Sequence, residues 1–251
     1  MAMEKEERLL AEVRDEFGLI RVLEVGDYRF LEFGEAVEQS CVFTADPRWL
    51  EYDYSRAMLL GALCHDAPES ALFLGLGAGN LTQACLAYLP LEDVEVVELR
   101  PDVPRLAMEY LGLADDPRLT IRIGDALELL PSVESADLIF VDLYTDTGPD
   151  VGHLAWNFLG DCQKRLNPGG WLVINQWAGE DGKPLGAALL RGLYHRHYWE
   201  CPVTEGNVIL LVPADLDQSL DRAGLLARAE VLAPRLGYSL RPLIEALRPA
   251  S

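Results

Sequence analysis

The most constraining feature of this sequence is residues 71–99, in which an apolar run, a glycine-rich turn, a helical pattern and a second apolar run follow one another. The glycines stand at positions 75, 77 and 79, and the second run ends at Glu98. Glycines let the chain turn sharply and let a ligand lie against bare backbone, while a carboxylate at the tip of the second strand can accept both hydroxyls of a ribose. The stretch therefore predicts a nucleoside-type cofactor held by Gly75, Gly77, Gly79 and Glu98.

The glycine pattern alone has an alternative interpretation, because an ordinary strand-to-helix turn also carries two or three glycines. The spacing differs from the dinucleotide-binding pattern, since Asn80 stands three residues after Gly77. Evidence from the rest of the sequence is needed to distinguish a cofactor-binding turn from an ordinary one.

The composition limits the class of protein. The 251 residues, 50% of them hydrophobic, are enough for one large domain or one domain with a small appendage. The net charge of −20 argues against a nucleic-acid partner, because phosphate binding requires clustered Lys and Arg. The sequence has no long apolar run, and its N-terminus is charged. Both features predict a cytoplasmic protein with no membrane partner. The five cysteines are scattered without C-x-x-C spacing, which predicts reduced, structural thiols, and no metal-ligand pattern is apparent, so no metal is expected.

The first quarter of the chain predicts a small β-rich appendage. Residues 3–16 are highly charged and predict a solvated helix or a frayed end. Two alternating runs joined by a Gly-Asp dipeptide then predict a β-hairpin, and a linking helix follows it. We therefore expect two units, an N-terminal appendage over residues 1–66 and a main domain over residues 67–251.

The main domain alternates strands with helices, which predicts an α/β fold with a doubly wound, mostly parallel, seven-stranded sheet of the Rossmann-like type. Its fourth strand, Ala136 to Val141, is a nearly continuous apolar run, as expected when helices cover both faces of a sheet. The last two predicted strands flank Glu205-Gly206 and are expected to pair antiparallel at one edge.

Acidic residues stand at the carboxyl ends of successive predicted strands. Glu98, Asp125 and Asp142 follow the second, third and fourth strands of the main domain. Ligands of such sheets bind outside the carboxyl ends of the strands, so these side chains should converge beside the glycine turn. Asp125, next to Ala126, has two compatible interpretations: it holds an adenine amino group, or it caps the helix that begins at Ala126.

Asp142 and Asp146 lie in an acid-rich loop, VDLYTDTGPD, that should overhang the pocket. Two neighbouring carboxylates can hold a primary ammonium and accept its proton, so both residues are candidates for catalysis. A solvated acidic turn is the alternative, and it is as plausible as a catalytic role for Asp146.

Five stretches together resemble one family: ALFLGLGAGN, VEVVELRPDV, DDPRLTIRIGDA, ADLIFVDLYTDTGP and LNPGGWLVINQW. The resemblance is to the spermidine synthase (polyamine aminopropyltransferase) family, and in particular to its divergent spermidine synthase-like branch. It implies the fold of the class I AdoMet-dependent methyltransferases, a homodimer, and AdoMet or decarboxylated AdoMet as co-substrate. It also implies that the ribose binds Glu98, the adenine binds Asp125, and Asp142 acts as general base toward an amine acceptor. Gln39 matches a glutamine that contacts the cofactor, and Tyr54 matches the tyrosine that follows it.

Some residues depart from the family pattern. Ala78 stands where the family has an aspartate, and Ser55 and Arg56 stand where it has His and Glu. The leading hypothesis is aminopropyl transfer to an amine, as in polyamine biosynthesis. The first alternative is a methyltransferase that uses intact AdoMet, with Arg56 paired to the carboxylate of the donor. The second is a non-catalytic adenosine-thioether-binding module whose pocket is filled by Tyr144 or Trp177.

Overall fold

The computed structural model describes residues 7–34, 37–145, 148–149 and 151–250. Asp146, one of the two predicted catalytic residues, lies outside these ranges. The strands are β1 (Glu7–Asp15), β2 (Gly18–Val25), β3 (Tyr28–Phe33), β4 (Val37–Phe43), β5 (Ser70–Leu74), β6 (Asp93–Glu98), β7 (Leu119–Ile123), β8 (Ala136–Val141), β9 (Tyr144–Thr145), β10 (Gly148–Pro149), β11 (Leu166–Trp177), β12 (Trp199–Pro202), β13 (Asn207–Pro213) and β14 (Arg248–Pro249). The α-helices are α1 (Asp53–Ala62), α2 (Asn80–Tyr88), α3 (Asp102–Tyr110), α4 (Ala126–Leu129), α5 (Trp156–Lys164), α6 (Ala187–Tyr194), α7 (Arg222–Leu236) and α8 (Arg241–Ala246).

The N-terminal part is an antiparallel four-stranded sheet in the order β1-β2-β3-β4. The predicted hairpin is confirmed, since Val25 pairs with Tyr28 across the Gly-Asp turn. The predicted N-terminal helix is wrong, because Glu7–Asp15 forms a strand that pairs with β2 through a tight turn between Asp15 and Gly18. Hydrogen bonding to a neighbouring strand outweighs the weak local helix preference of a charged segment.

The main sheet has the order β14-β12-β13-β11-β8-β5-β6-β7. Five adjacent strands are parallel to one another: β11, β8, β5, β6 and β7. On the other side of β11, β13 and β12 form an antiparallel pair. Apolar side chains of α1, α2, α3, α7 and α8 pack on one face, and those of α4, α5 and α6 on the other. The predicted doubly wound α/β class is confirmed. A two-residue eighth strand, β14, extends the antiparallel edge.

The connection pattern sets the position of the site. From β5 the chain moves outward through β6 to β7, and it then returns to place β8 on the opposite side of β5. The strand order therefore reverses between β5 and β8, the point at which doubly wound sheets bind their ligands. The N-terminal sheet lies against this edge: the Ala78 amide donates to Ser40 Oγ at 3.2 Å, and Asn80 Nδ2 donates to the Cys41 carbonyl at 3.2 Å.

All five cysteines are buried and unpaired. Burial raises the pKa of Cys41 and Cys64 to about 12, so these thiols stay protonated at neutral pH. A protonated, enclosed thiol is unreactive, as the prediction of structural cysteines requires.

Among the helices of the described ranges, none combines the length and the apolar character needed to cross a bilayer.

Candidate active site

A cavity of about 430 Å³ opens at the carboxyl ends of the central strands, between the glycine turn, the N-terminal sheet and α1. Most residues predicted for the site line it: Gln39, Tyr54, Gly75, Gly77, Glu98, Asp125, Ala126 and Asp142. Gly79 does not line the cavity. It precedes α2 with φ +78° and packs against Leu113, so its backbone conformation begins the helix.

The glycine turn forms bare backbone on one side of the cavity. Gly75 has φ +97° and Gly77 has φ +56°, a region that L-residues with side chains rarely adopt. A Cβ on Gly75 would lie 2.2 Å from the Asp142 carbonyl oxygen, and one on Gly77 would lie 2.6 Å from Ser40 Oγ. Both positions therefore require glycine, and no side chain fills the cavity beside them.

Glu98 is held rigidly at the end of β6. The Leu76 amide donates to Oε2 at 3.0 Å and the Arg100 amide donates to Oε1 at 2.9 Å, and the side chain is 7% exposed. Burial raises the pKa of Glu98, and the backbone N–H bonds partly oppose that shift. Each carboxylate oxygen retains a further lone pair, so the group can still accept bonds from two adjacent hydroxyls.

Asp125 serves as the cap of α4. The Leu127 amide donates to its Oδ1 at 2.8 Å. The capping interpretation is thus confirmed, and because this bond uses one oxygen, the second remains available in a side chain that also lines the cavity. An adenine-binding role for Asp125 and Ala126 stays a prediction.

Asp142 follows β8 on the same cavity as Glu98. Asn175 Nδ2 donates to Asp142 Oδ1 at 2.9 Å. Burial raises the pKa of Asp142, and the bond from Asn175 opposes this rise. A carboxylate with a raised pKa is a stronger base than an ordinary aspartate, a property that suits proton abstraction.

Aromatic rings form the walls around Asp142. Tyr52 and Tyr54 are stacked with centroids 5.8 Å apart, and Tyr144 and Trp177 have centroids 5.9 Å apart. The Tyr54 hydroxyl donates to the Gln39 carbonyl at 3.4 Å. Burial, with a further contribution from Asp142, raises the pKa of Tyr54 well above its usual value, so this phenol remains neutral. Tyr144 and Trp177 border the cavity and leave it open.

The charged residues of the lining are predominantly acidic. The five carboxylates are Glu38, Glu98, Asp125, Asp142 and Glu205. The lining arginine, Arg100, has its guanidinium bound at 2.8 Å to both oxygens of Asp15. Arg56, the predicted partner of a donor carboxylate, is not on the cavity. Its Nε donates to the Leu50 carbonyl at 2.7 Å and its guanidinium lies 4.4 Å from the Tyr238 ring centroid.

Metal coordination finds no support in this arrangement. Within the part of the chain that the structure describes, no three His, Cys, Asp or Glu side chains are grouped closely enough to hold a metal ion.

Comparison with known proteins gives the family. The spermine/spermidine synthase domain matches residues 52–179, which is more than half of the chain. The chain belongs to the spermine/spermidine synthase family. A polyamine aminopropyltransferase of Chromobacterium violaceum is 26% identical over 239 residues, covering 91% of this chain and 89% of the relative.

Two solved structures share the fold of this family member. A spermidine synthase in complex with the transition-state analogue AdoDATO has a TM-score of 0.68 at 14% identity, covering 92% of this chain and 88% of that one. Human methyltransferase-like protein 13 in complex with SAH has a TM-score of 0.65 at 23% identity, covering 74% of this chain and 92% of that one. The expected methyltransferase-type fold is therefore confirmed.

Sequence reasoning missed several residues of the site. Asn175 follows the apolar run Trp171 to Ile174 in the sequence, and this position could have marked it as a partner of Asp142. Ser40, Arg100 and Asn207 gave no local signal, because each reaches the site through packing between segments that are distant in sequence.

Proposed function

We propose that this protein transfers an aminopropyl group from decarboxylated AdoMet to a primary amine, a reaction of polyamine biosynthesis. The observation that carries the proposal is that one cavity, lined by five carboxylates, presents both Glu98 and Asp142. Membership of the spermine/spermidine synthase family supports the same reaction.

The donor would bind along the glycine turn. The bare backbone at Gly75 and Gly77 leaves room for a nucleoside, and Glu98, fixed by two backbone amides, is suited to the ribose hydroxyls. We assign the adenine to Asp125 and Ala126 by their place on the lining. Gln39 and Tyr54 are assigned to the opposite wall of the donor site.

Asp142 is assigned the role of general base. The ammonium of the acceptor must lose a proton before its nitrogen lone pair can attack, and Asp142 takes that proton. The nitrogen then bonds to the methylene carbon next to the sulfonium; the carbon–sulfur bond breaks, its electron pair passes to sulfur, and methylthioadenosine leaves. Positioning the two reactants in one cavity can lower the barrier by about 7 kcal/mol. Asp146 is retained as a second proposed acid of this loop.

The charge of the cavity favours a donor without a carboxylate. Intact AdoMet carries a carboxylate, which would meet acidic side chains, while Arg100 is already bound by Asp15. Decarboxylated AdoMet and an amine acceptor are both cationic, so the acidic lining attracts them. The open cavity argues against a module plugged by its own aromatic side chains.

The remaining expectations concern partners and location. We propose a small primary amine as acceptor and a homodimer in the cytoplasm, without nucleic-acid or membrane partners. The net charge of −20 supports the exclusion of nucleic acid.

A transfer assay tests the proposal. The protein is incubated with diamines and either decarboxylated AdoMet or AdoMet, and mass spectrometry detects methylthioadenosine, S-adenosylhomocysteine and the modified amine. We expect methylthioadenosine and an aminopropylated amine. Asp142→Asn should slow transfer by about 100-fold or more while leaving methylthioadenosine binding nearly unchanged.

Asp161→Asn is the matched control, since Asp161 is exposed and pairs with Lys164 on α5. The proposal is refuted if Asp142→Asn turns over as fast as this control, or if the protein methylates its acceptor with intact AdoMet.

A further inference from the structure

Two asparagines connect the proposed base to a neighbouring strand. Asn175 on β11 donates from Nδ2 to Asp142 Oδ1 at 2.9 Å, and Asn207 on β13 donates from Nδ2 to Asn175 Oδ1 at 2.9 Å. Asn207 Nδ2 also lies 3.4 Å from the Tyr144 hydroxyl. Both asparagines are buried, with exposures of 4% and 8%. We refer to Asn175 and Asn207 as the amide pair.

Sheet register brings the amide pair together. Asn175 lies opposite Ile209 and Asn207 lies opposite Trp177, in adjacent antiparallel strands. Residues directly opposite each other share a face, and so do residues two apart on one strand, so the two asparagines are diagonal neighbours on the same face. Asp142 joins them because β8 pairs with β11 in register, Val141 lying opposite Ile174.

The chemistry of each group fixes the direction of these bonds. An ionised carboxylate only accepts hydrogen bonds, so Asn175 must present its amide nitrogen to Asp142 and its oxygen to Asn207. Asn207 must then present its own nitrogen. Without Asn207, the Asn175 amide is free to turn over, and its oxygen would face the carboxylate and repel it.

Other titratable groups line the same cavity. Arg100 follows β6 and is paired with Asp15, and His153 lies between β10 and α5. Tyr54 from α1 and Tyr144 from β9 are neutral phenols, while Glu38 from β4 and Glu205 from the β12–β13 turn are acidic members of the same lining. Burial raises the pKa of Asp142, and the bond from Asn175 is the interaction that lowers it.

We propose that Asn207 is a positioning residue that acts through Asn175: it holds the Asn175 amide in the orientation that donates to Asp142. Asp142 then stays ionised with one oxygen left for the acceptor ammonium. This inference rests on the proposed function, because it takes Asp142 as the base.

A double-mutant cycle on the pH profile tests the inference. kcat/KM for aminopropyl transfer is measured against pH for the wild type, Asn175→Leu, Asn207→Leu and the double variant, with the same substrates throughout so that their own titration cancels. Asn175→Leu should move the acid limb upward by about 1 to 2 pH units, because a donor to the ionised base is lost. Asn207→Leu should move it in the same direction by less than half as much. The double variant should match Asn175→Leu, because Asn207 acts only through Asn175.

Asn167→Leu is the matched control. Asn167 lies on the same strand and donates to Asp137 Oδ1 at 2.9 Å, but it is not part of the cavity, so the acid limb should stay in place. Thermal unfolding and methylthioadenosine binding check that each variant is folded. If a leucine variant does not fold, Asn175→Ser and Asn207→Ser repeat the cycle with shorter polar side chains.

The outcomes separate the inference from the proposed function. Additive shifts in the double variant, or no shift in Asn207→Leu, overturn the positioning role while transfer by the wild type still supports the function. Failure of the wild type to form methylthioadenosine with any diamine overturns both.

Discussion

Replacing Gly75 by alanine should damage both stability and catalysis, because this position combines two separate constraints. Its φ of +97° is unfavourable for a residue with a Cβ, and the new Cβ would lie 2.2 Å from the Asp142 carbonyl oxygen. The obstructing atom belongs to backbone, so a rotamer change cannot relieve the contact. The end of β8, which carries Asp142, must move by about 1 Å to reach an ordinary van der Waals distance.

The size of the effect follows from the two constraints. A positive φ costs an alanine about 1–2 kcal/mol, partly offset by about 0.4–1 kcal/mol from a less flexible unfolded chain. Forcing an extra carbon into packed surroundings adds about 1–3 kcal/mol. The middle of these ranges gives a total loss of about 3 kcal/mol, or about 6–12 °C in melting temperature for a chain of this size. A displacement of about 1 Å at the base should also slow transfer by about 100-fold.

Gly169 supplies the matched control. It has φ +82° with no atom within 4 Å of an added Cβ, so Gly169→Ala imposes the backbone strain without the collision. This variant should lose about 1 kcal/mol or less and keep full activity. Calorimetric melting and the transfer assay, run on both variants, compare the two. Equal melting temperatures for the two variants, or full activity in Gly75→Ala, would show that the collision with Asp142 does not occur.

Three further predictions concern charged groups. Glu98→Gln should weaken methylthioadenosine binding at least tenfold, as measured by calorimetry. The reason is that the amide nitrogen of glutamine cannot accept the backbone N–H bond that one carboxylate oxygen of Glu98 accepts. Unchanged binding would contradict the ribose assignment. Asp142→Asn should melt higher than the wild type at neutral pH, because burial raises the folded-state pKa of Asp142 and its ionisation costs stability as pH rises above the ordinary aspartate range. This gain in melting temperature should disappear below about pH 4, where the Asp142 carboxyl is protonated in both the folded and the unfolded protein. Melting temperatures of variant and wild type measured against pH test this, and a difference that does not change with pH would contradict it.

Asp15→Asn should destabilise the fold by about 3 kcal/mol in urea at pH 7, because it leaves the buried Arg100 guanidinium without its charged partner. Burial opposes ionisation of Asp15, but bonds from Arg100 and the Phe17 amide outweigh it and lower the pKa. The stabilisation is therefore present above the ordinary aspartate pKa and is lost as pH falls through the lowered value. Equal stability of variant and wild type at pH 7 would contradict this role.

The sequence predicts the elements that local pattern determines. The glycine turn, the buried strands and the strand-end acids are encoded in short segments, and alternation of strands and helices limits the topology to a doubly wound sheet. Glu98 and Asp142 share one cavity because parallel strands bring their carboxyl ends to one edge. One sequence was therefore enough to predict which strand ends border this cavity.

Features that depend on contacts between distant segments were not predictable in this way. β1 appears helical in isolation and becomes a strand by pairing with β2. Asn207 opens β13, which is separated from β8 by β11, and its hydrogen bond to Asn175 connects it to Asp142. Ser40 lines the cavity and Asp15 binds the lining Arg100 because the N-terminal sheet packs beside the glycine turn and the end of β6.

A crystal structure with methylthioadenosine and a diamine bound together would show whether Glu98 and Asp142 bind the two substrates in one cavity. We expect both ribose hydroxyls to bind the Glu98 carboxylate and an amine nitrogen to lie within hydrogen-bond distance of Asp142. A nucleoside bound outside this cavity, or an amine held away from Asp142, would contradict it.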